Sequence, residues 1–268
     1  MSKRSGTVQD LAGMRDQVYE DPRPAAQFER FHERARTREP DWVYGVVRVL
    51  TTLYGAIAFR ARAVRPDRIP ATGPVILAPN HFSFMDHFFV GMFTWRQVRF
   101  MAKSQLFRRP MQFVYTHGGV FPVRRGHKDE EAFITARTIL GQGGCIVMYC
   151  EGGRSRTGKL ASRAKPGIGR LALESGATVI PVAISGSQRV RNWTRLRFPE
   201  VTVSYGEPLR LGSDPDSSRE RQQEVADEIF AAIRLLYAAL DEPGAQLRRQ
   251  AGKGVLKSLG EARKSSAA

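Results

Sequence analysis

Apolar residues along this chain follow two rhythms. Short runs at 75–78, 98–101, 119–122, 145–149, 178–184 and 201–205 are nearly continuous, rich in Val and Ile, and bounded by Gly, Pro or charged residues. Such runs predict buried strands. Between them, 130–140 and 168–174 carry apolar residues three and four apart, the spacing of one helix face. This alternation through residues 63–242 predicts an α/β domain with a mostly parallel central sheet flanked by helices. Near its end, Ser217-Ser-Arg-Glu220 has the form of a capping box, with Val225, Ile229, Ile233, Leu236 and Leu240 following at helical spacing. That last helix reads as core packing.

Ahead of the domain the pattern changes twice. Residues 1–40 are polar and broken by Pro22, Pro24 and Pro40. Phe28 and Phe31 either anchor a short helix there or belong to a mobile segment. Residues 41–62 hold the most hydrophobic helical stretch, WVYGVVRVLTTLYGAIAF. Its length is about 27 Å at the helical rise, near the lower limit for crossing a bilayer. Arg48, close to its centre, would cost about 2.5–3.5 kcal/mol in a spanning helix. On a helical wheel Tyr44, Arg48, Thr51, Thr52 and Gly55 share one side, and Trp42, Val46, Val49, Leu53 and Ile57 another. The expectation is an amphipathic helix lying in one leaflet, with Arg60, Arg62, Arg65 and Arg68 beside it to meet anionic headgroups. The competing reading is an ordinary helix packed on the domain. Residues 243–268 form a basic tail with six Lys and Arg residues from Arg248 to Lys264.

Composition narrows the partners. A net charge of +16 in 268 residues asks for something anionic: nucleic acid, an anionic membrane surface or a phosphorylated substrate. No zinc-finger spacing, RNA-recognition aromatic motif or clear helix-turn-helix is present, so nucleic acid is not the expected partner. Two cysteines suggest a reducing compartment, and Cys145 and Cys150 flank one strand, where a bridge between them is disfavoured. No signal peptide is visible in the highly charged first 40 residues.

The candidate chemistry begins at Asn80-His81-Phe82-Ser83-Phe84-Met85-Asp86, directly after the strand at 75–78. A His and an Asp separated by four residues, on a strand-to-helix loop, can form a proton-accepting pair. Asp86 would fix the imidazole tautomer, and His81 would take the proton of an attacking hydroxyl. Asp86 is also placed to cap the helix through Phe88, Val90 and Phe93. Ser83 reads as a turn residue rather than a nucleophile.

Three further segments follow in order: Gly118-Gly119-Val120-Phe121-Pro122-Val123-Arg124-Arg125, Glu151-Gly152-Gly153-Arg154-Ser155-Arg156, and Val179-Ile180-Pro181-Val182-Ala183-Ile184. Together with the His-Asp loop they resemble the four blocks of the glycerolipid acyltransferases of the lysophosphatidic-acid acyltransferase type, over roughly residues 64–206. The resemblance implies a glycerol-3-phosphate acyltransferase-like α/β domain with an N-terminal membrane-associating helical motif. It implies transfer of a fatty acyl chain from acyl-CoA or acyl carrier protein to lysophosphatidic acid, with no cofactor besides that donor. Matching block to block, His81 and Asp86 would be catalytic. Arg124 and Arg154 would bind the acceptor's phosphate, with Lys103 as a further basic position, and Glu151 and Gly152 would help form the acceptor site. Glu151 could orient Arg124 or Arg154, or bind a glycerol hydroxyl. The chain departs from the family where its third block, usually Phe-Pro-Glu-Gly-Thr-Arg-Ser, reads Tyr149-Cys150-Glu151-Gly152-Gly153-Arg154-Ser155. That leaves the acceptor open: glycerol 3-phosphate, another lysophospholipid or a glycolipid are the alternatives. Cys150 reads as a packing residue, with an acyl-carrier role as its rival.

Other chemistries fit less well. Gly153-Arg-Ser-Arg-Thr-Gly-Lys159 imitates a P-loop, but Leu160 stands where a Ser or Thr would ligate magnesium. His81 and His87 are six apart and no CxxC exists, so no metal site is expected. The reading from another class is a non-catalytic basic membrane-surface or nucleic-acid-binding protein, against which the intact His81–Asp86 pair speaks. Localisation is expected to be membrane-associated, monotopic or peripheral, on the cytoplasmic face.

Overall fold

The computed structural model describes residues 21–124, 129–155, 157–190 and 198–241. The basic tail, Arg125 and Arg156 lie outside these. Seven strands run in chain order as β1 (Arg62–Val64), β2 (Val75–Pro79), β3 (Arg99–Lys103), β4 (Val120–Val123), β5 (Cys145–Val147), β6 (Thr178–Ser185) and β7 (Thr202–Tyr205). They form one sheet in the order β1-β7-β6-β2-β5-β3-β4. Every pairing is parallel except β6 with β7. The mostly parallel sheet is as expected. β1 escaped the pattern reading, because three residues at a sheet edge, one of them an exposed Arg, carry too little apolar signal.

The helices are α1 (Glu29–Thr37), α2 (Trp42–Ala58), α3 (Asp86–Met92), α4 (Met111–His117), α5 (Glu130–Gly141), α6 (Gly167–Ser175) and α7 (Arg219–Asp241). One face of the sheet packs Ile76, Ile146 and Val179 against α5, α6 and α7, through Leu140, Leu171 and Ile229. The other packs Leu77, Val147 and Val182 against α3 and the end of α2, through Phe89 and Phe59. Both faces are covered, so the central strands are apolar throughout, and β2 is buried at all five positions. The cap of α7 sits one residue later than the capping-box pattern indicated: Arg221 N–H donates to Ser218 Oγ at 3.2 Å.

The second half of the polar N-terminal segment is built into the domain. Phe28 and Phe31 cluster with Phe107. His32 bonds Thr135 on α5 at 2.9 Å, and Asp21 holds Arg23 and Ser104. Asp41 caps α2 by accepting from Val43 N–H at 3.1 Å, and its other oxygen meets Arg34 and His117.

α2 itself is turned inside out. Tyr44 and Gly55 are buried, and Gly55 lies against the Met92 side chain of α3. The apolar side faces outward, with Trp42, Val49, Leu50, Leu53 and Ile57 between 54 and 77 % exposed. Among the described residues no helix is long and apolar enough to cross a membrane. Three of the four following arginines are engaged by carboxylates: Arg60 by Glu200, Arg65 by Asp67 and Arg68 by Glu207.

Candidate active site

The His-Asp loop leaves the carboxyl end of β2 at the centre of the sheet, where open α/β sheets build their sites. Its first residue fastens it. The Asn80 side chain donates to Ile184 O at 3.1 Å and accepts from Ile184 N–H at 2.7 Å, tying the end of β2 to β6. Sequence reasoning gave Asn80 no role. Its signal was an amide placed directly after an apolar strand, where it can replace a missing ladder partner.

Asp86 Oδ2 accepts from His81 Nδ1 at 2.8 Å, Phe82 N–H at 2.6 Å and Ser83 N–H at 2.7 Å. Asp86 therefore does not cap α3; it is that helix's first residue, and its carboxylate bends the loop back on itself. Three donors stabilise a charge that has no exposure to solvent. With Nδ1–H held by the carboxylate, Nε2 is the basic nitrogen of His81. Ser83 makes a turn, its Oγ accepting from Met85 N–H at 3.2 Å, and it is buried.

The third block grips His81 on three sides. Glu151 Oε1 accepts from His81 N–H at 2.9 Å, Ser155 N–H donates to His81 O at 2.8 Å, and the Tyr149 ring stacks on the imidazole with centroids 3.9 Å apart. The other Glu151 oxygen accepts from Ala161 N–H at 3.1 Å. Glu151 thus reaches backbone amides rather than Arg124 or Arg154. Burial pushes its carboxyl above the usual range, with the nearby Asp86 charge adding to this, while the two amide bonds pull it down. Gly152 takes φ +66°, a left-handed turn that brings the chain under His81 and that a side chain would strain. Cys150 is fully buried in the core and burial raises its thiol far above the ordinary range, so it packs and is a poor nucleophile.

A cavity of about 490 Å³ opens beside the pair. His81, Tyr149, Lys103 and Arg154 line it where it meets the catalytic loop. Phe84, Phe88, Met92, Phe100, Met111 and Val114 supply much of its apolar wall. The inner side of α2 closes it with Tyr44, Val47, Arg48 and Thr51. Arg48, the residue that argues against a membrane span, donates to Thr94 O inside the fold.

The structure brings together His81, Asp86, Glu151, Gly152, Arg154 and Lys103. Arg124 behaves differently. It follows β4, whose Val123 is paired with Lys103, but its guanidinium donates to Arg23 O at 3.0 Å and its backbone N–H to Asp129. It is not among the described residues that line the cavity. Among the described residues no cluster of His, Cys, Asp and Glu is arranged to hold a metal ion.

A mostly parallel α/β sheet thus carries a carboxylate-held imidazole at its carboxyl edge, beside a cation-rimmed apolar cavity, an arrangement able to take a proton from a hydroxyl. Residues 60–185 match the Acyltransferase family model, and they contain the His81–Asp86 pair, the third-block loop, Lys103 and Arg154. Its fold is similar to that in the crystal structure of the 1-acyl-sn-glycerophosphate (LPA) acyltransferase, PlsC, from Thermotoga maritima. The two are 22 % identical, the match covers 81 % of this chain and 89 % of that chain, and the TM-score is 0.58.

Proposed function

We propose that this acyltransferase moves a fatty acyl chain from acyl-CoA or acyl carrier protein to the hydroxyl of lysophosphatidic acid, working at a membrane surface. The observation that carries the reading is the buried His81–Asp86 pair facing an apolar cavity whose polar end holds Lys103 and Arg154. In this scheme His81 Nε2 takes the acceptor's hydroxyl proton as its oxygen attacks the thioester carbon, and Asp86 stabilises the imidazolium. Arg154 and Lys103 receive the phosphate, Arg154 as a planar fork and Lys103 as a point charge. Transfer is direct, because Ser83 is a buried turn residue and Cys150 a buried thiol. Holding donor and acceptor together then supplies much of the rate.

The outward apolar face of α2 supports membrane association. Several large apolar side chains on one exposed helix face exceed what a water-facing helix carries, and the helix forms one wall of the cavity. With three of the four nearby arginines paired internally, apolar burial rather than charge dominates that contact. Turning Arg124 toward Arg23 leaves two cations for the phosphate, which keeps a smaller or uncharged acceptor as the second reading. The test is a screen of lysophosphatidic acid, other lysophospholipids, glycerol 3-phosphate and lyso-glycolipids with labelled palmitoyl-CoA and palmitoyl-acyl carrier protein. Product mass is the readout. Phosphatidic acid as the dominant product is expected; faster transfer to a phosphate-free acceptor would overturn the assignment of Lys103 and Arg154.

A further inference from the structure

The base and the acceptor's cations leave one requirement of acyl transfer unassigned. When the acceptor oxygen adds to the thioester carbon, the carbonyl oxygen becomes an anion that needs a donor. Two polar side chains lining the cavity already donate within the fold, Arg48 to Thr94 O and Thr51 to the Val47 carbonyl, and the Tyr44 hydroxyl is engaged as the acceptor of Val98 N–H. The Tyr149 hydroxyl is sealed from solvent.

His87 is different. It follows Asp86 in the first turn of α3, so it stands beside the carboxylate that holds His81. It is half-buried and lines the same cavity as His81, Tyr149 and Arg154. Its ring is held by aromatic neighbours, Phe88 at 4.1 Å and Phe100 at 6.1 Å between centroids, and its nitrogens have no hydrogen-bond partner among the described residues. A polar ring fixed in an apolar wall with its donors unused costs stability unless a ligand takes them up.

We propose that His87 is a second catalytic imidazole, neutral throughout, whose ring N–H donates to the thioester oxygen as it becomes an oxyanion. The proposal rests on the acyl-transfer reading above. Burial, reinforced by the His81 and Arg154 charges, lowers its pKa to about 4 against the opposing pull of Asp86, so the ring stays uncharged at neutral pH. A neutral imidazole is suited to polarising a carbonyl without competing with His81 for the acceptor's proton. In the addition step the acceptor O–H bond breaks and its proton passes to His81 Nε2. The new C–O bond forms, and the carbonyl π pair moves to the oxygen facing His87. In the collapse the C=O bond re-forms, the C–S bond breaks, and the departing thiolate receives the proton from His81. His87 gains and loses no proton.

The test uses the full chain with palmitoyl-CoA and 1-oleoyl-lysophosphatidic acid, comparing wild type with His87→Phe, which keeps ring volume, and His87→Gln, which keeps an N–H donor. His87→Phe should lower kcat about 10²- to 10³-fold. Donor KM should change little, and so should binding of S-hexadecyl-CoA, a thioether lacking the carbonyl. His87→Gln should recover at least about tenfold of the lost rate. A His87→Phe enzyme within about fivefold of wild type would remove the proposal and leave acyl transfer intact. Equal losses in Phe and Gln, or a matching loss of thioether binding, would make His87 a packing residue instead. A wild type that transfers to no acceptor, with either acyl-CoA or acyl carrier protein as donor, would remove the underlying reading and this proposal together. Should His87→Phe fail to fold, His87→Gln and His87→Asn decide by the same kcat-against-KM split.

Discussion

The loop at 80–86 and helix α2 border the same cavity and reverse the usual distribution of polarity. The loop carries an amide, an imidazole, a hydroxyl and a carboxylate, and all four are buried. α2 is strongly hydrophobic, and most of its large apolar side chains face outward. Each exception has its compensation. In the loop most polar groups have a named partner: Ile184 for Asn80, Glu151 and Ser155 for the His81 backbone, and the His81 imidazole for Asp86 Oδ2, while Asp86 Oδ1 is buried without one among the described residues. On α2 no partner among the described residues covers the face, and an apolar surface is its natural complement. Buried polar groups held by several hydrogen bonds mark chemistry, and exposed apolar groups that share a helix face mark docking.

Breaking the loop should give the largest effect. His81→Ala is expected to lower turnover by at least about 10²- to 10⁴-fold with the fold intact. Asp86→Asn should be comparably severe, since an amide cannot hold the productive tautomer as a carboxylate does. Turnover measured beside circular dichroism checks both, and near-normal transfer by folded His81→Ala would sink the assignment.

Glu151 separates structure from catalysis. Glu151→Ala leaves the His81 and Ala161 amides without their acceptor, at about 1–3 kcal/mol for each buried donor. Its urea midpoint should fall clearly, and Glu151→Gln, which keeps one oxygen for one amide, should fall less. Its pH dependence has a definite sign. The folded carboxyl has the higher pKa, so folding takes up protons there, and stability falls as pH rises through the raised value. Glu151→Gln should flatten that limb; an unchanged stability profile would show that the group is not perturbed.

The two arginines sharpen the comparison further. Arg154→Ala should raise the KM for lysophosphatidic acid about tenfold or more and leave the donor's KM nearly unchanged. Arg124→Ala should act chiefly on stability, through the lost bond to the Arg23 carbonyl. Equal effects of Arg124→Ala and Arg154→Ala on acceptor KM would return Arg124 to the phosphate site.

On α2, Leu53→Ser with Ile57→Ser should leave the thermal midpoint nearly unmoved, because both side chains already face solvent. The same pair should reduce co-sedimentation with vesicles containing anionic lipid. Retained vesicle binding would move the membrane contact elsewhere on the protein.

Much of this was legible in the chain itself. Buried parallel strands are apolar at every position, so six of seven strands stood out against polar turns, and only the short edge strand at Arg62–Val64 was missed. The pair at His81 and Asp86 was legible because its members are local, with four residues between them at one strand-to-helix junction. The wheel of α2 separated its two sides correctly, yet which side faced inward depended on what packs there, namely Met92 and the cavity.

Long-range choices belonged to the tertiary structure alone. Nothing local to Glu151 points to an amide seventy positions earlier, and nothing local to Arg124 points to the carbonyl of Arg23. Charge made Arg124 look like a ligand of phosphate and Glu151 like its partner; packing gave both to the backbone. Periodicity and short-range spacing are written along the chain. The partner of a buried polar side chain is set by which strands lie side by side, and that neighbourhood exists only once the sheet has formed.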